Sequence, residues 1–169
     1  MHQKACTDVC GRTWKGLRAK LEERRYSHCI LLAGTNDVSS DAAENIFRNL
    51  WKLAETASAS GCVVYIMTIP ELSAEQAHPT IRSTRSRVNE LLLQSQGARI
   101  SQRSESALRV IDLAPLVPYA SVGRAERDRY WESDGLHLHP VFFCVAATCP
   151  AAFRRQSGWV WVASRLADS

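Results

Sequence analysis

The sequence predicts an α/β layered fold built on a parallel sheet, and three observations carry that expectation. Short apolar runs at residues 29–33, 62–69 and 108–113 alternate with longer segments of helical periodicity, as in repeated strand–helix–strand units. The first run is continuously apolar, the pattern of a parallel strand covered on both faces. Polar clusters follow the strands at their carboxyl ends, where open α/β sheets bind ligands.

Taken in order, residues 13–25 predict a helix because Trp14, Leu17 and Leu21 recur along one face. Residues 29–33 then form a buried strand that stops at Gly34. Asp41 and Glu44 have the spacing of a capping box, opening a helix whose Ile46, Leu50, Leu53 and Ala57 share one stripe. Gly61 ends it. Residues 62–69 (Cys-Val-Val-Tyr-Ile-Met-Thr-Ile) are rich in β-branched side chains and close at Pro70, which predicts a strand. A helix over 79–95 turns Ile81, Val88, Leu91 and Leu92 inward. Residues 108–113 form a further strand, followed by a polar loop through Pro115, Pro118 and Gly123.

Composition narrows the class of protein. At 169 residues, 46% hydrophobic and 22% charged, the chain can bury a core and does not read as disordered. No apolar run approaches the roughly 18 residues of a membrane helix. The opening Met1-His2-Gln3-Lys4-Ala5-Cys6 has no signal-peptide core, so the cytoplasm is the default compartment. Of the cysteines, Cys29 and Cys62 sit in strand-like runs and read as buried free thiols. A zinc site from His2, Cys6 and Cys10 has no support from spacing. Net charge is +4, with arginines at 82, 85 and 87 and again at 124, 127 and 129. No aromatic residues interleave the first group, and Glu126 and Asp128 interrupt the second. Both read as solvated faces rather than a nucleic-acid footprint.

Two polar clusters can carry chemistry. Gly34-Thr35-Asn36-Asp37 follows a buried strand, and an Asn amide there can donate to a developing oxyanion. The same residues also suit a plain turn. In Ser133-Asp134-Gly135-Leu136-His137 an Asp precedes a His by three residues across a glycine. Such an Asp can hold one ring nitrogen and leave the other free as a general base. A loop with surface histidines is the plain alternative, and His139 is the competing base.

Gly34-Thr35-Asn36-Asp37 and Asp134-Gly135-Leu136-His137-Leu138-His139-Pro140 resemble the third and fifth sequence blocks of the SGNH/GDSL ester hydrolases. Val9-Cys10-Gly11-Arg12-Thr13 resembles the second, and the likeness covers about residues 5 to 140. The resemblance implies a flavodoxin-like, three-layer α/β/α sandwich over 1–140, with 141–169 as an atypical C-terminal tail. It implies acyl transfer on a small-molecule ester, with no cofactor, metal, nucleic-acid or membrane partner. By position, His137 would be the general base and Asp134 its orienting carboxylate. Gly11, through its backbone N–H, and Asn36 would bind the oxyanion, with Gly34 and Thr35 shaping the turn. Asn89 would be a structural contact.

The pattern also departs from the family. Its first block, a central strand ending in Gly-Asp-Ser that supplies the nucleophile, has no counterpart before Gly11. Cys10 adjoins Gly11, but no activating partner for it is legible. Without that strand, residues 29–33 would carry an open edge, and the chain is expected to be a truncated or weakly active form. The competing expectation is a non-catalytic relative binding an acylated or glycan ligand. The run Trp159-Val160-Trp161-Val162 reads as a short strand or an exposed apolar segment. A phosphate-cradling module would need GxGxxG or GxxxxGK, and neither occurs.

Overall fold

A computed structural model describes residues 6–7, 13–14, 16–23, 25–101, 108–139 and 159–164. Two short strands, β1 (Cys6–Thr7) and β2 (Thr13–Trp14), pair antiparallel. Helix α1 spans Leu17–Glu23, so the helix expected from residue 13 starts four residues later. Thr13 and Trp14 are residue types that favour extended backbone, and the Lys20 N–H donates to the Gly16 carbonyl at the helix start, 3.1 Å away.

Strand β3 (His28–Ala33) leads through a turn to α2 (Ala43–Ala59), β4 (Val63–Met67), α3 (Pro79–Ser101) and β5 (Leu108–Ile111). β3 pairs parallel with β4, and β4 with β5. The α/β expectation holds at this level: a parallel sheet with helices between its strands. Both crossovers step in the same direction across the sheet, and a common right hand puts α2 and α3 on one face. The two helices accordingly pack on each other, with α1 against α2.

The core follows from the apolar patterns. Cys29, Ile30 and Leu31 are fully buried in succession, so both faces of β3 are covered. Ala43, Ile46, Leu50, Ala54 and Ala57 form the buried stripe of α2, while Val88 and Leu92 are fully buried among the described side chains of α3. The capping box does not form. Asp41 Oδ1 instead accepts the Ala42 N–H and the Asn45 amide, and Glu44 accepts from Arg87 at 3.2 Å. With Ala42 rather than Asp41 at the N-cap, the helix starts one residue too late for the box, and Glu44 bonds its own backbone N–H as well as Arg87.

The expected open edge of β3 is closed. A fourth strand, β6 (Trp159–Ser164), runs parallel to β3 along its whole length, from His28↔Trp159 to Ala33↔Ser164, and the sheet order is β5-β4-β3-β6. The Trp-Val-Trp-Val run is therefore a ladder partner. Each buried, unpaired backbone group would cost about 1–3 kcal/mol, so pairing six residues of β3 removes a large penalty. After β5 come α4 (Arg124–Tyr130) and an antiparallel bridge, Trp131↔Leu138. No helix among the described residues is long and apolar enough to cross a membrane.

Candidate active site

At the carboxyl end of β3, Gly34 takes φ +91°, a backbone conformation open to glycine. Its carbonyl accepts the N–H groups of Asp37 and Val38 at 3.0 and 3.2 Å, closing a 3-10 turn over Asp37–Ser39. Asn36 stands at the start of that turn, half-buried, and its side chain makes no capping bond to it. The Ser39 and Ser40 hydroxyls donate back to the carbonyls of Asn36 and Asp37. A strand end, a left-handed glycine and a tight turn thus present an amide that the turn does not consume.

Beyond β4 the chain is held by buried polar groups. Thr68 accepts the N–H groups of Leu113 and Ala114 and donates to Asp112, joining the ends of β4 and β5. The Asn89 amide clasps Ile69, accepting its N–H and donating to its carbonyl, each at 2.8 Å. That is the structural role expected of Asn89. Arg85, expected on a solvated face, is instead buried and forms a two-pronged pair with Glu75 at 2.6 and 3.0 Å. Glu75 in turn accepts the Leu72 N–H. Burying a guanidinium is tolerable only with such a fixed partner.

This anchored loop carries the third segment. The Ser73 N–H donates to the Gly135 carbonyl at 3.0 Å and its hydroxyl to the Asp134 carbonyl at 3.3 Å. Glu71 accepts the N–H groups of Tyr119 and Ala120, and these bonds hold its carboxyl below the usual range although burial opposes them. Tyr119 meets Trp131 edge-on at 5.4 Å, with the Arg127 guanidinium 5.2 Å from its ring centre. Gly135, at φ +62°, has no room for a side chain: a Cβ would lie 2.6 Å from Ser73 Cβ and 2.9 Å from the Tyr119 hydroxyl.

Inside this frame Asp134 and His137 meet. Asp134 Oδ1 accepts the N–H groups of Leu136 and His137 at 2.9 and 3.0 Å, and Oδ2 lies 2.6 Å from His137 Nδ1. Burial raises the Asp134 pKa, but the His137 ring and the two backbone N–H groups outweigh it, so the carboxyl sits below its ordinary value. An ionised Asp134 accepts a proton bond from Nδ1, which leaves the Nε2 lone pair free. Both side chains are about half exposed, as access to a substrate requires. His139, the competing base, faces Glu132 at 3.4 Å instead.

The structure therefore joins Asp134 to His137 and hangs them on the loop after β4, next in the sheet to the strand that ends at Gly34 and Asn36. Gly11 and Cys10 lie outside the described residues. Cys29 and Cys62 are buried free thiols, Cys29 being pushed up to about 12 by burial and by Cys62. Among the described residues no group of three His, Cys, Asp or Glu is arranged to hold a metal ion. Sequence reasoning missed Ser73, Glu71 and Tyr119, the residues that fix the His137 loop. Their only sequence signal is position after a Pro-closed strand or in a Pro-rich loop. Comparison with protein-family models, with curated proteins and with solved structures finds no match for this chain.

Proposed function

We propose that this protein is an ester hydrolase of the SGNH/GDSL type, acting on a small-molecule ester by acyl transfer. The observation that carries this reading is the 2.6 Å contact of Asp134 Oδ2 with His137 Nδ1, made while Oδ1 binds two backbone N–H groups of the same turn. A carboxylate held from both sides fixes the imidazole in the tautomer a general base needs. Asn36, at the end of the neighbouring strand, is the side-chain donor to the oxyanion, and Gly11 the backbone donor that the resemblance implies. The fold this reading assumes is the three-layer α/β/α sandwich of that family, with β6 beside β3.

The test is release of p-nitrophenolate from p-nitrophenyl acetate. The full chain should turn over, and His137→Ala should lose about 10³-fold or more of kcat/KM, the scale on which triad members matter. Asn36→Ala should cost roughly 10²–10³-fold, as for removal of one oxyanion donor. Hydrolysis equal in all three proteins would end the proposal. Saturable, Asn36-dependent ester binding without turnover would replace it with a non-catalytic binding role.

A further inference from the structure

The segment that carries the candidate base also holds donors without acceptors. Trp131 is 3% exposed, and among the described residues its indole Nε1–H is a buried side-chain donor with no hydrogen-bond partner. Buried polar groups are satisfied with few exceptions, and each exception has a reason, a bound acceptor among them. Trp131 meets the Tyr119 ring edge-on at 5.4 Å, and the Arg127 guanidinium lies 5.2 Å from the centre of the same ring. The Trp131 backbone N–H donates to the Arg127 carbonyl at 2.8 Å, so the two side chains reach Tyr119 from positions one helical turn apart.

Arg127 and the Tyr119 hydroxyl are also without acceptors among the described residues. The neighbouring arginines differ. Arg82 and Arg85 share Glu75, Arg87 has Glu44 and Glu90, and Arg124 has Asp128. Arg129 lies over Tyr130 but stands exposed on α4. The carboxylates of this region are already engaged. Glu71 accepts the Tyr119 and Ala120 N–H groups with the charges of Arg85 and Arg82 beside it, Asp134 holds His137, and Glu132 faces His139.

The cluster borders the candidate active site. The Tyr119 hydroxyl lies 2.9 Å from the point a Cβ on Gly135 would take, and Gly135 follows Asp134 in the turn that carries His137. An ionised carboxylate is an acceptor only, and its two oxygens match the fork of a guanidinium. From the juxtaposition of Arg127, Tyr119 and Trp131 with the Asp134–His137 turn, we infer that the site takes a monoester of a dicarboxylic acid and seats its free carboxylate on this cluster. The inference rests on the hydrolase reading above. Arg127 and Tyr119, both partly open to solvent, receive the carboxylate first. Its approach draws the Arg127 side chain off the ring and gives the Trp131 N–H its acceptor.

The experiment uses the full chain and two substrates, p-nitrophenyl acetate and the p-nitrophenyl monoester of glutaric acid. The quantity read is the ratio of their kcat/KM values, in which any loss of folded protein in a variant cancels. The unaltered chain should favour the glutaric monoester by roughly tenfold or more, and Arg127→Gln should bring the ratio to about one, with Tyr119→Phe in between. In parallel, the indole N–H signal of Trp131, assigned with Trp131→Phe, is followed by NMR as glutarate is added at constant ionic strength. It should shift to saturation in the unaltered chain and stay still in Arg127→Gln. A ratio near one in the unaltered chain, or one indifferent to Arg127→Gln, would overturn the carboxylate site, and His137-dependent turnover of the acetate would then leave the hydrolase reading standing. An indole signal unmoved by glutarate would mean that an internal water alone meets Trp131, and would overturn the site as well. A saturable shift with turnover of neither ester would keep the carboxylate site and overturn the hydrolase reading.

Discussion

Gly135 illustrates how one residue holds the candidate site together. Its positive φ and the 2.6 Å gap to Ser73 leave a methyl group nowhere to go, so Gly135→Ala should strain the loop by about 1–3 kcal/mol. A urea midpoint lowered together with His137-dependent turnover would be the expected readout. Asp134 gives a pH signature. Its pKa is lower in the folded than in the unfolded chain, so the unfolded chain binds the proton first as the solution is acidified. The stabilisation from Asp134 is complete above the unfolded value near 3.9 and is lost as pH falls through the lower, folded value. Exposure and solvent screening keep the effect small. Thermal melts between pH 6 and 3 should show a shallower loss of stability for Asp134→Asn than for the unaltered chain. Equal slopes would mean that the carboxylate does not grip its loop. The Asp134–His137 pair was legible in the sequence because both partners lie within one short turn. Ser73 was not, since its bonds to Asp134 and Gly135 span some sixty residues of chain.

At the scale of elements, the loop after β4 is the rigid piece. Asn89 bonds both backbone groups of Ile69, so Asn89→Leu should leave the buried Ile69 N–H without a partner, at about 1–3 kcal/mol, and its carbonyl with only the longer bond from Arg85. Arg85→Met is harsher because Glu75 would remain 5% exposed and without its main partner. A loss of about 3–5 kcal/mol is expected, read by chemical denaturation. Strands β3, β4 and β5 and helices α2 and α3 were all legible within a few residues, because apolar runs and 3.6-residue stripes are local signals. What failed was tertiary in origin. Arg87 on α3 pairs with Glu44 of α2, and the 69–75 loop draws Arg85 inside through Glu75. A charged residue two or three positions from other charges looks solvated until the partner on another element is known.

For the whole molecule, the decisive contact is the one between β6 and β3. Trp161→Pro, in the middle of β6, would fix φ and distort the strand opposite Ile30. It should lower the Tm by several degrees and speed hydrogen exchange in β3 as well as β6. Exchange confined to β6 would show that β3 does not rely on it. The residues of β6 were readable as a strand, but not their place, since nothing local says which distant strand an apolar run will join. The pairing also has a consequence for synthesis in the cell. β3 leaves the ribosome long before β6 exists, and at about 5–20 residues per second the nascent chain waits on the order of ten seconds for its last ladder partner. Through that interval the apolar backbone edge of β3 lies bare. The chain's yield in the cell should therefore depend on chaperone supply more than its finished stability would suggest.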